Sequence, residues 1–293
     1  MKIKFTKMHG LGNDFIVLHD PEIKADDLPG FCRRFSDRRF GIGFDQALIL
    51  RPSDRADVRM EIYNADGSRV EMCGNGVRCV AAYLWDRGLA GKGDLSIETP
   101  AGNIRLRPSG DLVETDMGEP VIPGWGRGDA IPATGARALQ TGLVVDDGKF
   151  EATRVSMGNP HAVIFVPDVA SFPVERYGPS LERHPLFPDR TNVEFVQVMG
   201  PGELRMRVWE RGTGETLACG TGACAAAVAA HLNGLTSRKV LIHLNGGDLR
   251  IHWSEADGHV LMTGPTAEVF EGAVVFPAPS PPSPLAGEGR GGG

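Results

Sequence analysis

Two cysteines stand in the same short pattern at distant points of the chain, as Cys73-Gly74-Asn75-Gly76 and Cys219-Gly220-Thr221-Gly222. Stretches rich in Ala, Leu and Val follow at residues 75–89 and 221–232, so each cysteine is predicted to lie where a loop becomes a helix. A helix start favours an anion, because its dipole and its free backbone N–H groups are positive. This placement predicts thiols whose pKa is lowered from about 8.5 toward neutrality.

A pair of such thiols could invert a stereocentre. If both helix starts point into one cleft, one thiolate can remove an α-proton while the opposite thiol delivers a proton to the other face. The helix starts would also hold a carboxylate and stabilise the charge that moves onto it. The predicted carboxylate-binding N–H groups are those of Gly74, Asn75, Gly220 and Thr221. An α-hydrogen is a weak acid, so closure of the cleft against water is also expected.

The separation of the two cysteines, 219 minus 73 or 146 residues, relates other polar landmarks as well. The same offset pairs Asn13 with Asn159, Gln46 with Asn192, and Asn64 with Glu210. Each half also has the same predicted order: strand, Gly-Asn turn, strand, helix, two strands, a polar loop and a final helix. We therefore predict an α/β (α+β) fold of two domains related by a pseudo-twofold axis. Each would be a curved mixed β-sheet wrapped around a central helix, with the active site in the cleft between them.

The predicted domain boundaries follow from the repeat. Residues 1–119 together with 266–277 form the N-terminal domain, because residues 267–276 read as a strand that returns to it. Residues 120–265 form the C-terminal domain. Pro, Gly, Ser and Ala dominate residues 278–293, which predicts a disordered tail without function.

Composition narrows the class of protein. The chain has 293 residues, is 41% hydrophobic and has a net charge of −6, with acidic and basic residues interleaved. No basic stripe is present to bind nucleic acid. The apolar stretches are far shorter than the roughly 20 residues of a membrane span, and the N-terminus does not resemble a signal peptide. We therefore expect a cytoplasmic protein with no nucleic-acid or membrane partner.

The five cysteines are predicted to be reduced, since they are neither even in number nor dense. Cys79 and Cys224 lie inside the apolar helices without metal-ligand spacing, and Cys32 is predicted to be a helix residue without chemistry. The histidines form no paired metal motif, and Gly10-x-Gly12 lacks the third glycine of a dinucleotide loop. Neither a metal nor a cofactor is expected. The alternative for the two helix-start cysteines is a packing role or a regulatory disulfide.

Taken together, the motifs resemble the diaminopimelate epimerase family over residues 1–276. The segments that carry the resemblance are His9-Gly10-Leu11-Gly12-Asn13-Asp14-Phe15, Asn64-Ala65-Asp66-Gly67-Ser68, Met72-Cys73-Gly74-Asn75-Gly76, Met157-Gly158-Asn159-Pro160-His161, Glu210-Arg211-Gly212 and Glu215-Thr216-Leu217-Ala218-Cys219-Gly220-Thr221-Gly222-Ala223-Cys224. The resemblance implies a pyridoxal-independent isomerase that interconverts LL- and meso-2,6-diaminopimelate on the bacterial route to lysine and peptidoglycan. It also implies a homodimer.

Site residues carry over from that family position by position. Cys73 and Cys219 match its catalytic cysteines, and His161 matches a histidine that would tune the protonation of the sulfurs. The implied substrate contacts are Asn13, Gln46, Asn64, Asn159, Asn192, Glu210 and Arg211, with the reacting carboxylate at Gly74, Asn75, Gly220 and Thr221. Two alternatives stay open: a two-cysteine racemase of proline or hydroxyproline, and an inert binding module with the same repeat.

Overall fold

A computed structural model of the chain describes residues 1–19, 23–71, 73–123 and 140–276, so the predicted tail lies outside the described residues. In this part there are eighteen strands and four α-helices. The elements of the first half are β1 (Lys2–Gly10), β2 (Asn13–His19), α1 (Leu28–Phe35), β3 (Gln46–Arg51), β4 (Val58–Asn64), β5 (Arg69–Val70), α2 (Gly74–Asp86), β6 (Leu95–Thr99), β7 (Gly102–Ser109) and β8 (Leu112–Asp116). Those that follow are β9 (Gln140–Val145), β10 (Gly148–Ser156), β11 (Pro160–Phe165), α3 (Val174–Glu182), β12 (Asn192–Gly200), β13 (Glu203–Glu210), β14 (Gly214–Thr216), α4 (Gly220–Leu232), β15 (Lys239–Leu244), β16 (Gly247–Trp253), β17 (Val260–Gly264) and β18 (Ala267–Val275).

Strand pairing repeats in the two halves. One half has the order β18-β1-β2-β3-β4-β6-β7-β8, and the other has β9-β10-β11-β12-β13-β15-β16-β17. The parallel pairs fall at equivalent places, β2 with β3 and β4 with β6 in one half, β11 with β12 and β13 with β15 in the other. The prediction of a duplicated mixed α/β fold is confirmed.

The two halves join through strands that occupy equivalent places. β8 pairs with β17 in antiparallel register, with Thr115 opposite Met262 and Asp116 opposite Leu261. The offset of 146 relates Thr115 to Leu261 and Asp116 to Met262. A pseudo-twofold axis therefore passes through the middle of this pairing, and the junction is a continuous sheet.

The last described strand belongs to the sheet of the first half. β18 pairs with β1 from Lys2 opposite Val275 to His9 opposite Ala267. In the second half the hairpin of β9 and β10 has the same arrangement. β18 thus takes the position beside β1 that β9 takes beside β10.

Each sheet encloses one central helix. All of α4 except His231 is buried, and its run of alanines lets sheet residues approach closely on every side. α2 is also buried along most of its length, although it carries Arg78. The shorter helices α1 and α3 pack apolar side chains such as Phe31 and Leu181 against the other face of each sheet. No helix in the described residues is long and apolar enough to cross a membrane.

Candidate active site

Both predicted cysteines occupy the position before the first turn of a central helix. Cys73 precedes α2 and Cys219 precedes α4, each with an extended backbone (φ −143° and −118°). The first helical hydrogen bonds run from Val77 N to Cys73 O and from Ala223 N to Cys219 O, at 3.0 and 2.9 Å. The predicted carboxylate-binding N–H groups, those of Gly74, Asn75, Gly220 and Thr221, come before these bonds and so lie outside the helical ladder.

The two helix starts meet at the junction of the halves. Asn75 Nδ2 on α2 donates to Ala218 O, directly before Cys219, at 3.4 Å. The Met262 side chain lies between the two starts: a Cβ on Gly74 would be 3.2 Å from Met262 Cε, and one on Gly220 would be 3.1 Å from its Sδ. A larger residue at either first helical position would have to displace the Met262 side chain, so the repeated Cys-Gly pattern favours this close approach.

Cys73 contacts an asparagine that a carboxylate holds in place. Its Sγ lies 3.7 Å from Asn13 Oδ1, which also accepts a hydrogen bond from Asn75 Nδ2 at 3.4 Å. Asn13 Nδ2 donates to Asp45 Oδ2 at 2.9 Å. The amide of Asn13 therefore has a fixed orientation, with its oxygen toward the thiol. The preceding Gly12 has a left-handed backbone (φ 83°), which the tight turn into β2 requires.

Cys219 lies in the equivalent place with a richer set of partners. Gly222 N donates to its Sγ at 3.4 Å, and Thr221 Oγ1 lies 3.5 Å from the same sulfur. Asn159 Nδ2 donates to Thr221 Oγ1 at 3.2 Å, so the repeat partner of Asn13 reaches this thiol through a hydroxyl. As in the first half, the preceding glycine, Gly158, has a left-handed backbone (φ 95°).

A buried histidine and glutamate stand behind this second thiol. His161 Nε2 lies 3.0 Å from Asn159 Oδ1, and His161 Nδ1 lies 2.7 Å from Glu194 Oε1. The side chains of His161 and Glu194 are both 0% exposed. A hydrogen-bonded chain therefore runs from Glu194 through His161, Asn159 and Thr221 to the sulfur of Cys219.

The prediction of thiols with lowered pKa is wrong. Loss of solvation inside the protein raises the pKa of Cys73 to about 11 and that of Cys219 well above its ordinary value. The charge of Glu210 adds to both increases, while backbone N–H groups of the helix starts lower the pKa of each thiol by less. Helix-start polarity does act as predicted, but desolvation is the larger effect.

The charge of Glu210 raises the pKa of both thiols. Burial raises the pKa of its carboxyl, and the negative charge of Glu194 raises it further. Thr216 Oγ1 donates to Glu210 Oε1, and Cys219 also hydrogen-bonds to this carboxyl. Glu210 therefore lies beside Cys219.

The remaining predicted contacts form two local pairs. Gln46 Nε2 donates to Asn64 Oδ1 at 2.9 Å across β3 and β4. Asn192 Oδ1 accepts from Arg211 N at 2.9 Å, whereas the exposed Arg211 guanidinium donates to Asp189 O at 3.2 Å. Within the described residues, none of these four side chains hydrogen-bonds to either cysteine. Gln46 and Asn192 are the equivalent first residues of β3 and β12, whereas Asn64 ends β4 and Arg211 directly follows β13.

Three residues near the site escaped the sequence prediction: Asp45, Glu194 and Arg78. The repeat carried a signal for two of them, because the offset of 146 places Glu194 opposite Leu48 and Arg78 opposite Cys224. A charged residue that replaces an apolar one in a buried strand or helix needs a reason. For Asp45 no such signal existed, since its role depends on a contact between β2 and the loop before β3.

Solved structures share this duplicated architecture. A hydroxyproline epimerase of Agrobacterium vitis, solved with bound trans-4-hydroxy-L-proline, superposes with a TM-score of 0.69 at 18% identity, over 95% of this chain and 94% of that one. A protein of the PhzF phenazine biosynthesis family from Bacillus anthracis gives 0.68 at 15% identity, over 94% and 100%. The protein is therefore of the two-lobed α/β class to which both of these structures belong.

Sequence relatives define the family within that class. The family model described as diaminopimelate epimerase matches residues 5–123 and 153–269. A diaminopimelate epimerase of Moorella thermoacetica is 53% identical over 276 residues, covering 92% of this chain and 98% of the relative. Another, from Methanococcus maripaludis, is 45% identical over 279 residues, covering 93% and 99%. The chain belongs to the diaminopimelate epimerase family and is an isomerase.

Proposed function

We propose that this protein interconverts LL- and meso-2,6-diaminopimelate by proton transfer between two thiols and the two faces of one α-carbon, without a pyridoxal cofactor. One observation carries the proposal: Cys73 and Cys219 begin two equivalent helices whose starts meet at the junction of the halves. Membership of the diaminopimelate epimerase family supports the choice of substrate.

The proposed reaction balances without any further reagent. A thiolate on one face takes the α-proton and becomes a thiol, and the electron pair of the broken C–H bond moves onto the α-carbon and its carboxylate. The thiol on the other face then gives its proton to that carbon and becomes a thiolate. The N–H groups at the two helix starts stabilise the carboxylate as it gains charge. The enzyme ends each turnover with its two protonation states exchanged.

Environment favours Cys73 as the first thiol to ionise. Burial raises the pKa of both thiols, and the charges of Glu210 and Glu194 add to the increase at Cys219, whereas the positive charge of Arg78 opposes the increase at Cys73. Neither thiol is ionised to a large extent at neutral pH in the absence of substrate. We propose that the substrate's ammonium group, placed beside the thiols, favours the thiolate in the complex.

The second amino-acid centre of diaminopimelate needs its own contacts. We propose that Arg211 binds the distal carboxylate and that Glu210 with the amide side chains binds ammonium. Arg211 is exposed, and among the described residues its guanidinium has one hydrogen-bond partner, the carbonyl of Asp189, so it can turn to a substrate. The amide residues proposed as substrate contacts are Asn13, Gln46, Asn64, Asn159 and Asn192, with His161 as an auxiliary group.

Further features of the protein are proposed on the same basis. The domain boundaries are those of the repeat, and the pairing of β18 with β1 supports the assignment of residues 266–277 to the N-terminal domain. A reaction between two reduced thiols suits a reducing compartment, so we propose the cytosol. We also propose a homodimer, for which the exposed apolar side chains of Val269, Phe270 and Val275 on β18 offer a surface.

A substrate panel tests this function against the racemase alternative. Purified reduced protein without added pyridoxal phosphate is incubated with LL-diaminopimelate, L-proline or trans-4-hydroxy-L-proline, and the products are separated by chiral chromatography. Conversion of LL- to meso-diaminopimelate alone is the expected result. Turnover of a proline substrate without turnover of diaminopimelate would replace the proposal with the racemase. Arg211→Met should raise the KM for diaminopimelate about 100-fold, because a charged pair is lost.

A further inference from the structure

Arg78 is a fully buried arginine in the central helix of the first half. Its side chain is 0% exposed, and its Nη1 donates to Gly74 O at 3.2 Å and contacts Met262 Sδ at 3.6 Å. Nη2 donates to Asn75 Oδ1 at 2.8 Å. Its Nε is buried without a hydrogen-bond partner among the described residues. The guanidinium is thus held at the start of its own helix, within the junction of the two halves.

No carboxylate of the described part of the chain forms an ion pair with this guanidinium. Among the described residues, the ionisable groups whose charge would act on it are thiols: Cys73 at the start of α2, Cys79 within α2, and Cys224 on α4. Burial lowers the pKa of Arg78, as expected for a cation removed from water. A buried unpaired charge is costly to folding, which makes purely structural retention of this arginine unfavourable.

The space around Arg78 is shaped by glycines from both halves. A Cβ on Gly10 of β1 would lie 3.4 Å from Arg78 Nη2, and a Cβ on Gly264 of β17 would lie 3.3 Å from its Nε. β17 is the strand of the second half that forms the junction with β8. The arginine of the first half therefore fills a slot that the second half helps to build.

Arg78 also determines which way the amide of Asn75 faces. Because Nη2 donates to Asn75 Oδ1, the amide nitrogen must face the other way, toward Asn13 Oδ1 and Ala218 O, each at 3.4 Å. Asn13 contacts the thiol of Cys73, and Ala218 directly precedes Cys219. One buried side chain is therefore linked to both cysteines through a single amide.

We propose that Arg78 is a positioning residue for the two-thiol reaction: it fixes Asn75 across the junction, and its unpaired positive charge stabilises the negative charge formed at Cys73 and on the bound carboxylate. This inference rests on the proposed function. The second half has no cation at the equivalent position, because the offset of 146 places Cys224 opposite Arg78. The other charge near Cys73 is that of Glu210 on β13, which opposes ionisation of the thiol.

Two substitutions separate the charge from the orientation of Asn75. Arg78→Met removes both, whereas Arg78→Lys keeps the charge but loses the planar fork that reaches Gly74 O and Asn75 Oδ1 together. Arg59→Met, at a half-exposed arginine on β4, is the control. For each protein, kcat, KM and the pH dependence of kcat/KM are measured with LL-diaminopimelate. The pH dependence of iodoacetamide labelling at Cys73, read by peptide mass spectrometry, gives the thiol ionisation without turnover.

Loss of the positive charge of Arg78 and loss of the fixed Asn75 orientation should give different results. In Arg78→Met we expect kcat to fall about 100-fold, KM to change less than about threefold, and the pH midpoint of Cys73 labelling to rise by about one unit. In Arg78→Lys we expect kcat to fall about tenfold with the labelling midpoint within about 0.3 unit of wild type. Arg59→Met should match wild type in every readout.

Folded Arg78→Met with wild-type kcat and an unchanged labelling midpoint would overturn the inference. If that variant does not fold, Arg78→Lys decides: a wild-type kcat would overturn the positioning role, and a lowered kcat with an unchanged midpoint would support it. Absence of epimerisation by wild-type protein would instead refute the proposed function, and the shift of the labelling midpoint would still test the effect of Arg78 on Cys73.

Discussion

The two halves share their strand pairings but differ in what stands behind each cysteine. Behind Cys219 are His161 and Glu194, hydrogen-bonded at 2.7 Å. The offset of 146 places Phe15 and Leu48 at the equivalent positions of the first half, and both are fully buried apolar residues. Duplication thus preserved the framework that brings two helix starts together, while the surrounding side chains diverged. Inversion needs one sulfur to begin as a thiolate and the other as a thiol, and the two sulfurs exchange these states in each turnover.

The two halves also differ in the charged residues of their central helices. The first half has Arg78 within α2, where the second half has Cys224. The first half also holds Asn13 through Asp45, whose equivalent in the second half is Thr191. Burial raises the pKa of both thiols; the charge of Arg78 opposes this increase at Cys73, whereas the charges of Glu210 and Glu194 both add to it at Cys219. The comparison predicts different consequences for equivalent changes in the two halves.

Removal of either sulfur should have the largest effect. Cys73→Ala and Cys219→Ala should each lower the rate of inversion by about 10⁴-fold, because the remaining thiol can transfer a proton only on its own face and no sulfur is left to serve the opposite face. Circular dichroism should show both variants folded, since each change removes one atom at a helix start. Turnover within tenfold of wild type in either variant would mean that the two halves do not contribute one acid and one base.

The second-largest effect is expected when the two residues behind Cys219 are replaced by their equivalents from the first half. The double variant His161→Phe/Glu194→Leu gives the second half the apolar pair found at Phe15 and Leu48, so it should fold. We expect kcat to fall about 100-fold, because the hydrogen-bonded chain to Thr221 is lost. Glu194→Leu alone should be less stable than the double variant, since it leaves His161 buried without its partner. Wild-type kcat in the double variant would show that this difference between the halves has no catalytic role.

A charged cluster in the first half should make the free energy of unfolding depend on pH in the acidic range. Asp14 pairs with Lys7 and with Arg38, and these cations hold the pKa of its carboxyl well below its ordinary value. The stability that this pairing contributes is present above the unfolded pKa of about 3.9 and is lost as the pH falls below it. Asp14→Asn should lower the free energy of unfolding at pH 7 by about 2 kcal/mol, with the difference from wild type shrinking below pH 4.

Urea unfolding from pH 3 to 7 measures this effect, with Asp147→Asn as the control. Asp147 is 63% exposed and pairs with Arg176 in the second half, so its loss should cost less than about 0.5 kcal/mol at any pH. The position equivalent to Asp14 in the second half is Pro160, which cannot form such a cluster. Equal losses of unfolding free energy in Asp14→Asn and Asp147→Asn would contradict the proposed difference between the two halves.

The smallest effect is expected from replacing a buried thiol of the central helices, and it concerns stability at alkaline pH. Burial raises the pKa of Cys79 and of Cys224 to about 12, so both stay protonated in the folded protein when the unfolded chain has already ionised. Their contribution to stability is complete below the unfolded pKa of about 8.5 and is lost as the pH rises toward 12. At pH 10 we expect Cys79→Ala to reduce the alkaline loss of unfolding free energy by about 1 to 2 kcal/mol. A parallel pH dependence in the variant and wild type would contradict this.

Sequence reasoning found the repeat because glycines and amides at turns and helix starts keep their spacing when a fold is duplicated. The helix predicted at residues 221–232 begins at Gly220 and ends at Leu232. The pKa of the cysteines was predicted wrongly, because the sequence displays the helix start but not the burial of the sulfurs in the folded protein. Asp45 was missed because its role depends on a contact with Asn13 that only the folded sheet creates. For Glu194 the repeat offered a signal, a charged residue opposite Leu48, but its partner His161 is identified only by the structure.

Proton transfer in deuterated water tests the central claim most directly. LL-diaminopimelate is converted by wild-type protein in deuterated water, and the deuterium at the α-carbon of both isomers is followed by mass spectrometry during the first few per cent of reaction. Two thiols on opposite faces predict deuterium in the meso product while the remaining LL substrate keeps its proton. Deuterium appearing equally in both isomers from the start would mean that one group serves both faces, which would contradict the roles proposed for Cys73 and Cys219.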